Sequence, residues 1–265
     1  MKISVITITY NSKKYLEETI ESVLSQNFHD IEYIFVDGVS TDGTLDILRC
    51  HAERDKRIRW VSEPDRGITD AMNKGIRMAT GDIVGHLHSD DAYMPGTLER
   101  VADCFLKNPE AKWVTGRMLI VDEEGETLYE TELKSSYTAQ SILKQNIIGH
   151  PATFFRREVF DEIGLFDETF KYAMDYDLFV RVALKYEPVV IDHLLARFRY
   201  HPGSLSSANL LKAMAEDYLI RKRNRGEISP ISAVIDHFDY TKNKIVISFG
   251  LHNFLKKLKR KFSGI

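Results

Sequence analysis

The segment Thr80 to Asp91, TGDIVGHLHSDD, runs from an apolar stretch, Ile83 to Leu87, into two adjacent carboxylates, Asp90 and Asp91. A strand that ends in acids within an alternating α/β chain aims them at the crevice where open parallel sheets bind ligands. Hard cations such as Mg²⁺ and Mn²⁺ take carboxylate oxygens and complete their shells with phosphate, so the pair is a candidate for a metal-held phosphate ester. The same residues admit a plainer reading, in which Asp91 caps the helix that begins near Pro95. Two further strand ends carry polar clusters, Thr9-Tyr10-Asn11 and Asp37-Gly38. In a parallel sheet such ends share one edge, so residues distant in sequence converge on one crevice. Neither a GxGxxG fingerprint nor a GxxxxGK[ST] loop occurs, which speaks against a dehydrogenase or a phosphate-loop NTPase and leaves a metal to hold phosphate.

The elements that must position these residues are legible in the first hundred positions. Strand Lys2 to Thr9 is followed by a helix from Lys14 to Gln26, whose Leu16, Ile20, Val23 and Leu24 fall on one face. Strand Glu32 to Val36, helix Thr44 to Glu53, strand Arg59 to Ser62, helix Thr69 to Ala79 and strand Asp82 to His88 continue the alternation. Repeated strand-helix-strand units predict right-handed crossovers and a mostly parallel sheet flanked by helices, a Rossmann-like α/β fold. After a helix from Pro95 to Lys107 the pattern changes. Lys112 to Val121 and Thr127 to Glu132 flank the turn Asp122 to Gly125 and predict an antiparallel pair, which makes the sheet mixed. A helix at Ala139 to Gln145, a short strand Ala152 to Phe155, a helix from Arg157, a helix Asp175 to Tyr186, a strand Val189 to Phe198 and a helical stretch Leu205 to Arg225 complete the expected order.

Composition sets outer bounds. With 265 residues, 43% of them hydrophobic, the chain can bury a full core. A net charge of -3 gives no reason to expect nucleic acid. Cys50 and Cys104 lack any CxxC or Cys/His grouping and read as free thiols of a reducing compartment. The N-terminal ISVITI is too short for a signal-peptide core, and Ile245 to Leu255 is shorter than the roughly 20 apolar residues that span a bilayer. A cytoplasmic chain is expected.

Five fragments in order resemble the glycosyltransferase family 2 enzymes of GT-A fold: ITYN at 8 to 11, FVDGVSTDGT at 35 to 44, EPDRGITDAMNKGIRMATGD at 63 to 82, the LHSDD segment, and GLFDETFKYAMDYDLFVR at 164 to 181. Each is weak alone; the set spans about residues 1 to 205. The resemblance implies a sheet whose first half, 1 to 107, binds a nucleotide sugar and whose second half, 108 to 205, binds the acceptor. Residues 206 to 265 would then form a C-terminal helical extension.

The site residues that the resemblance implies can be placed one by one. Thr9, Tyr10 and Asn11 look like the loop that lies against the nucleoside, and Asp37 like the acid that accepts the base N3–H, a donor that uracil offers. Asp65 resembles another nucleotide-side acid, and Arg66 beside it is a candidate for the base or phosphate, against its reading as a solvated charge. In LHSDD, Ser89 and Asp90 match the end of the family's Asp-x-Asp motif, with His88 where the first acid often stands. Asp90 would hold a divalent metal, Mn²⁺ or Mg²⁺, bridging the diphosphate. His201 is placed to complete the metal shell. Asp175, in MDYDL, matches the acid that deprotonates the acceptor hydroxyl, although Met174 replaces the usual Glu. His150 and Asp91 are expected on the acceptor side. Both His150 and His201 precede a proline and so belong to extended or turn segments.

The expected reaction is therefore metal-dependent, inverting transfer of a sugar from a nucleoside diphosphate, UDP above all, to a hydroxyl of a glycan or lipid-linked glycan in cell-surface polysaccharide synthesis. The departures at His88 and Met174 keep a non-catalytic nucleotide-sugar-binding protein open, and a nucleotidyltransferase remains a second alternative. The last 26 residues carry seven Lys or Arg and no acid. Within them Leu251, Phe254, Leu255, Leu258 and Phe262 repeat at helical spacing among Lys256, Lys257, Lys259, Arg260 and Lys261. Such a basic amphipathic tail, 251 to 262, fits either an anionic membrane surface, which would make the enzyme peripheral, or docking on the domain.

Overall fold

The computed structural model describes residues 1–201, 203–204 and 209–224. The basic tail at 251 to 262 and the start of the helix expected from Leu205 lie outside the described residues.

Four parallel strands form the heart of the sheet, in the order β3 (Ile58–Ser62), β2 (Ile31–Asp37), β1 (Ile3–Thr9) and β4 (Ile83–His86). Their residues alternate between two apolar layers, as period-2 side-chain geometry requires. Ile6, Ile34, Val36 and Val84 enter one core, while Ile3, Val5, Ile31, Tyr33, Phe35 and Ile83 enter the other. Helices cover both faces because each has an apolar stripe to bury. Leu16, Ile20 and Val23 of α1 (Lys13–Leu24) and Leu48 of α2 (Thr44–Arg54) seal one face, joined by Leu98, Val101 and Phe105 of α4 (Thr97–Lys107). On the other lies α3 (Ile68–Met78), so close that a Cβ on Gly75 would collide with Ile6.

Beyond β4 the sheet turns mixed, as expected. β8 (Thr153–Arg156) pairs antiparallel with β4 and with β6 (Trp113–Val121), whose other partners are β7 (Thr127–Glu130) and β9 (Val189–Arg199). Sequence reasoning missed β5 (Ala92–Tyr93), a two-residue strand antiparallel to β9, and a 3₁₀ turn at His150–Ala152. β5 matters, because pairing Ala92 with Arg197 draws the end of β9 up to the Asp90-Asp91 loop. The remaining helices are α5 (Ala139–Lys144), α6 (Glu158–Ile163), α7 (Met174–Ala183) and α8 (Leu210–Arg223). Ile220 of α8 is buried in the same core as Tyr176 and Phe179 of α7, so α8 packs against the domain itself.

Candidate active site

Register puts the polar strand ends side by side: Thr9 stands opposite Asp37, and Asp37 opposite Ser62. Their side chains bond to each other. Asp37 is 0% exposed; its Oδ1 accepts from Thr9 Oγ1 at 2.8 Å and Ser40 Oγ at 2.5 Å, and its Oδ2 from Ser40 N at 2.9 Å and Ser62 Oγ at 2.8 Å. A carboxylate offers about four lone-pair sites, and all are taken. Where the resemblance implied an acceptor for the base N3–H, the described structure has Asp37 as a buried clasp that builds the loop.

The loop it builds contains two non-glycine residues in the left-handed region, Asn11 at φ 51° and Val39 at φ 63°. Asn11 suits that conformation and locks it, because its Oδ1 accepts from Thr41 N at 2.9 Å and its N donates to Ser40 Oγ at 2.8 Å. Tyr10 projects outward, 68% exposed. Asp65 approaches Gly38 so closely that a Cβ there would lie 2.5 Å from its Oδ2, while its Oδ1 accepts from Gly67 N at 2.8 Å. Asp65 is thus the half-buried acid beside Tyr10 and Gly38. Arg66 is 73% exposed and paired with Asp70 and Glu168, which gives its expected nucleotide role no support and matches the solvated reading.

Past β4, Asp90 and His201 come together: His201 Nε2 lies 2.9 Å from Asp90 Oδ2, and the His201 ring packs against Tyr15 at 5.4 Å. One carboxylate and one imidazole, both hard-to-borderline donors, fit a Mn²⁺ or Mg²⁺ that takes the rest of its shell from diphosphate and water. Among the described residues no group of three or more histidines, cysteines, aspartates or glutamates could hold an ion. Ser89 Oγ donates to Ser12 Oγ at 2.9 Å, tying this loop to the start of α1.

Asp91 turns the other way. It is 2% exposed, its Oδ1 accepts from Arg199 N at 3.0 Å, and burial, with Asp90 adding to it, pushes its carboxyl well above the usual range. The helix behind it starts instead at Gly96, with no side-chain cap. The capping reading of Asp91 is therefore corrected, and its carboxylate is buried rather than presented at the surface. Arg199, which sequence reasoning missed, holds this corner. Its guanidinium donates to the carbonyls of Asp90 at 3.2 Å and Glu123 at 3.0 Å, pairs with Glu18, and lies 4.5 Å from the Tyr15 ring centre.

The start of α7 presents Asp175, 24% exposed, whose Oδ1 accepts from Tyr176 N at 2.8 Å. Burial pushes its carboxyl up to about 6, with a smaller contribution from the charge of Glu216. His150 lies beside it, Nδ1 to Asp175 Oδ2 being 4.0 Å, and its Nε2 has no hydrogen-bond partner among the described residues. Its ring also meets those of His86 at 5.5 Å and His88 at 5.1 Å, so a stack of imidazoles connects the Asp90 loop to Asp175. Burial holds His86 down to about 3 and keeps His88 and His150 low as well, so the stack is neutral. Asp177, two residues on, is buried and accepts from Arg181, Nε to Oδ2 2.7 Å.

With the geometry in place, comparison with known proteins is informative. The family model described as glycosyl transferase family 2 matches residues 4–164. The chain belongs to glycosyltransferase family 2. It is 31% identical over 220 residues to a putative teichuronic acid biosynthesis glycosyltransferase, TuaG, of Bacillus subtilis, covering 82% of this chain and 86% of TuaG. It is also 30% identical over 181 residues to the chondroitin synthase of Escherichia coli, where 68% of this chain spans only 26% of the relative's length. Among solved structures, S. aureus TarS 1-349 in complex with UDP-GlcNAc superimposes with a TM-score of 0.66 at 22% identity over 83% of this chain and 66% of that one. The mannosyltransferase PcManGT of Pyrobaculum calidifontis, solved with GDP-Man and Mn²⁺, gives 0.63 at 19% identity over 98% and 82%. At these identities the structures establish the GT-A fold. Membership of this glycosyltransferase family displaces the non-catalytic and nucleotidyltransferase alternatives. No helix among the described residues is long and apolar enough to cross a membrane.

Proposed function

We propose that this family 2 glycosyltransferase moves a sugar, with inversion, from a UDP-sugar to a hydroxyl of a glycan or lipid-linked glycan, with Asp175 as the base. The observation that carries this reading is Asp175 itself: a partly exposed carboxyl at a helix start whose surroundings raise it to about 6, near the proton affinity that a general base at neutral pH needs. Asp175 takes the proton of the acceptor hydroxyl as that oxygen bonds to the anomeric carbon. The bond from that carbon to the diphosphate breaks on the opposite face, and its electron pair leaves with the nucleoside diphosphate. Asp90 and His201 would hold a divalent ion, which when bound offsets charge on the departing diphosphate. Burial keeps His86, His88 and His150 in the neutral form, so they place beside Asp175 no positive charge that would lower its proton affinity.

Tyr10, Asn11 and Asp65 are the groups we place against the nucleoside. Relatives named for teichuronic acid and chondroitin synthesis favour a polysaccharide acceptor. The basic stretch 251 to 262 favours work at the cytoplasmic face of a membrane. The deciding experiment is transfer from a panel of UDP-sugars by the full chain and by folded Asp90→Asn and Asp175→Asn variants. Loss of turnover in both is expected, and full activity in Asp175→Asn refutes the mechanism. Equal sedimentation with anionic vesicles by the full chain and a chain ending at Asp239 refutes the membrane role.

A further inference from the structure

Helix α8 reaches into the acceptor side through one carboxylate. Glu216 accepts hydrogen bonds from three successive backbone N–H groups: Lys171 at 3.1 Å to either oxygen, Tyr172 at 2.7 Å and Ala173 at 2.9 Å. Consecutive amides pointing one way form an anion cradle, and here the anion comes from another element of the same chain. The last of the three, Ala173, is the N-cap residue of α7, and Asp175 stands two positions on. The rest of α8 reinforces the hold. Arg221 Nε donates to Tyr176 Oη at 3.2 Å, and Arg223 Nη1 lies 2.8 Å from Asp167 and 3.8 Å from Asp177.

We propose that Glu216 is a positioning residue for sugar transfer: by gripping the amides of 171–173 it fixes the turn that aims Asp175 at the acceptor, making α8 part of the active site. This rests on Asp175 being the base. The charges around Asp175 fit the role. Glu216 and Asp217 face it from α8, and His150 faces it from the 3₁₀ turn, while Asp177 on α7 is committed to Arg181. Burial lifts Asp217 to about 7, with Asp175 and Glu216 adding to the lift and Arg221 opposing it. Glu216 thus contributes twice, through hydrogen bonds that set geometry and through a negative charge that strengthens the base.

The test needs no knowledge of the substrate. Full-length protein labelled with ¹³C at aspartate carboxyls gives a titration for Asp175, assigned by its loss in Asp175→Asn. Hydrogen exchange gives the protection of amides 171–173. In Glu216→Gln the Asp175 midpoint is expected to fall by about 0.5 pH unit or more, and the three amides to lose at least about tenfold in protection. Glu216→Asp keeps the charge and should hold the midpoint near about 6. An unchanged midpoint with unchanged protection in Glu216→Gln overturns the proposal, and so does an equal fall in both variants, which would trace the shift to disturbed packing. Transfer activity surviving in Asp175→Asn would refute the base assignment instead, and leaves the measured coupling of Glu216 to residue 175 standing or falling on its own.

Discussion

His201 Nε2 and Asp90 Oδ2 lie 2.9 Å apart, although 111 residues separate them in the chain. The two-residue pairing of β5 with β9 produces this meeting, and it places the imidazole where it can share a cation with the carboxylate. Replacing His201 by Ala should weaken Mn²⁺-dependent binding of UDP by on the order of 10–100-fold, a typical loss when a metal site is impaired. Thermal shift with UDP, with and without Mn²⁺, reads this directly, because a ligand of the folded state raises its apparent stability. An equal Mn²⁺-dependent shift in wild type and His201→Ala would remove His201 from the site.

Asp175 sets a pH limit. With its carboxyl raised from 3.8 to about 6, kcat/KM should fall on the acid side with a midpoint near about 6, and Asp175→Asn should lose on the order of 10²–10⁴-fold in turnover. An acid limb near 4 in the wild type would contradict the assignment.

The same shift has a stability signature of fixed sign. A carboxyl whose folded-state value lies above its unfolded value binds more protons when folded, so stability declines as pH rises from about 4 to 6 and then levels off. Asp175→Asn lacks that decline. Its stability relative to wild type should therefore grow across this window, by up to about 3 kcal/mol, as measured by denaturant unfolding at pH 4, 5, 6 and 7.5. A gap that does not change with pH would show that Asp175 ionises as freely as in the unfolded chain.

The Arg199 guanidinium is buried against Glu18 and the carbonyls of Asp90 and Glu123, so Arg199→Met leaves those groups without their donor while the backbone N–H bond to Asp91 survives. A cost of about 1–3 kcal/mol is expected, the penalty of leaving buried acceptors without their donor. Scanning calorimetry should show Tm lowered by roughly 3–8 °C. A change within about 2 °C would mean that the corner relaxes without it.

Val39 holds φ 63°, a strained conformation for a β-branched residue. Val39→Gly relieves that strain at the expense of added freedom in the unfolded chain, and a net stabilisation of about 1 kcal/mol, a few degrees in Tm, is expected. A lower Tm would show that the side chain packs well enough to offset its backbone.

The parallel half of the fold was readable from sequence because each strand and helix there carries its own period, and local pattern decides local structure. Asp90, His201 and Asp175 came from motif order, and the structure brings the first two into contact. What stayed hidden depends on pairings between distant segments. The expected strand Val189 to Phe198 contains Arg197 and is followed directly by Arg199, but nothing local tells that Arg199 would meet Glu18 and Asp91. Asp37 was read as a ligand acid because its type and place allow it; only the positions of Thr9, Ser40 and Ser62 reveal that its oxygens are already filled. Glu216 carries no motif at all, since its partners are backbone amides that any residue could supply.

The saturation of Asp37 bears on how donor preference could change. A wall fastened by four internal hydrogen bonds tolerates little sequence drift, since any replacement at position 37 strands the hydroxyls around it before it touches a ligand. New base preferences would then arise at the accessible neighbours Tyr10 and Asp65, with the clasp beneath them left as inherited scaffolding.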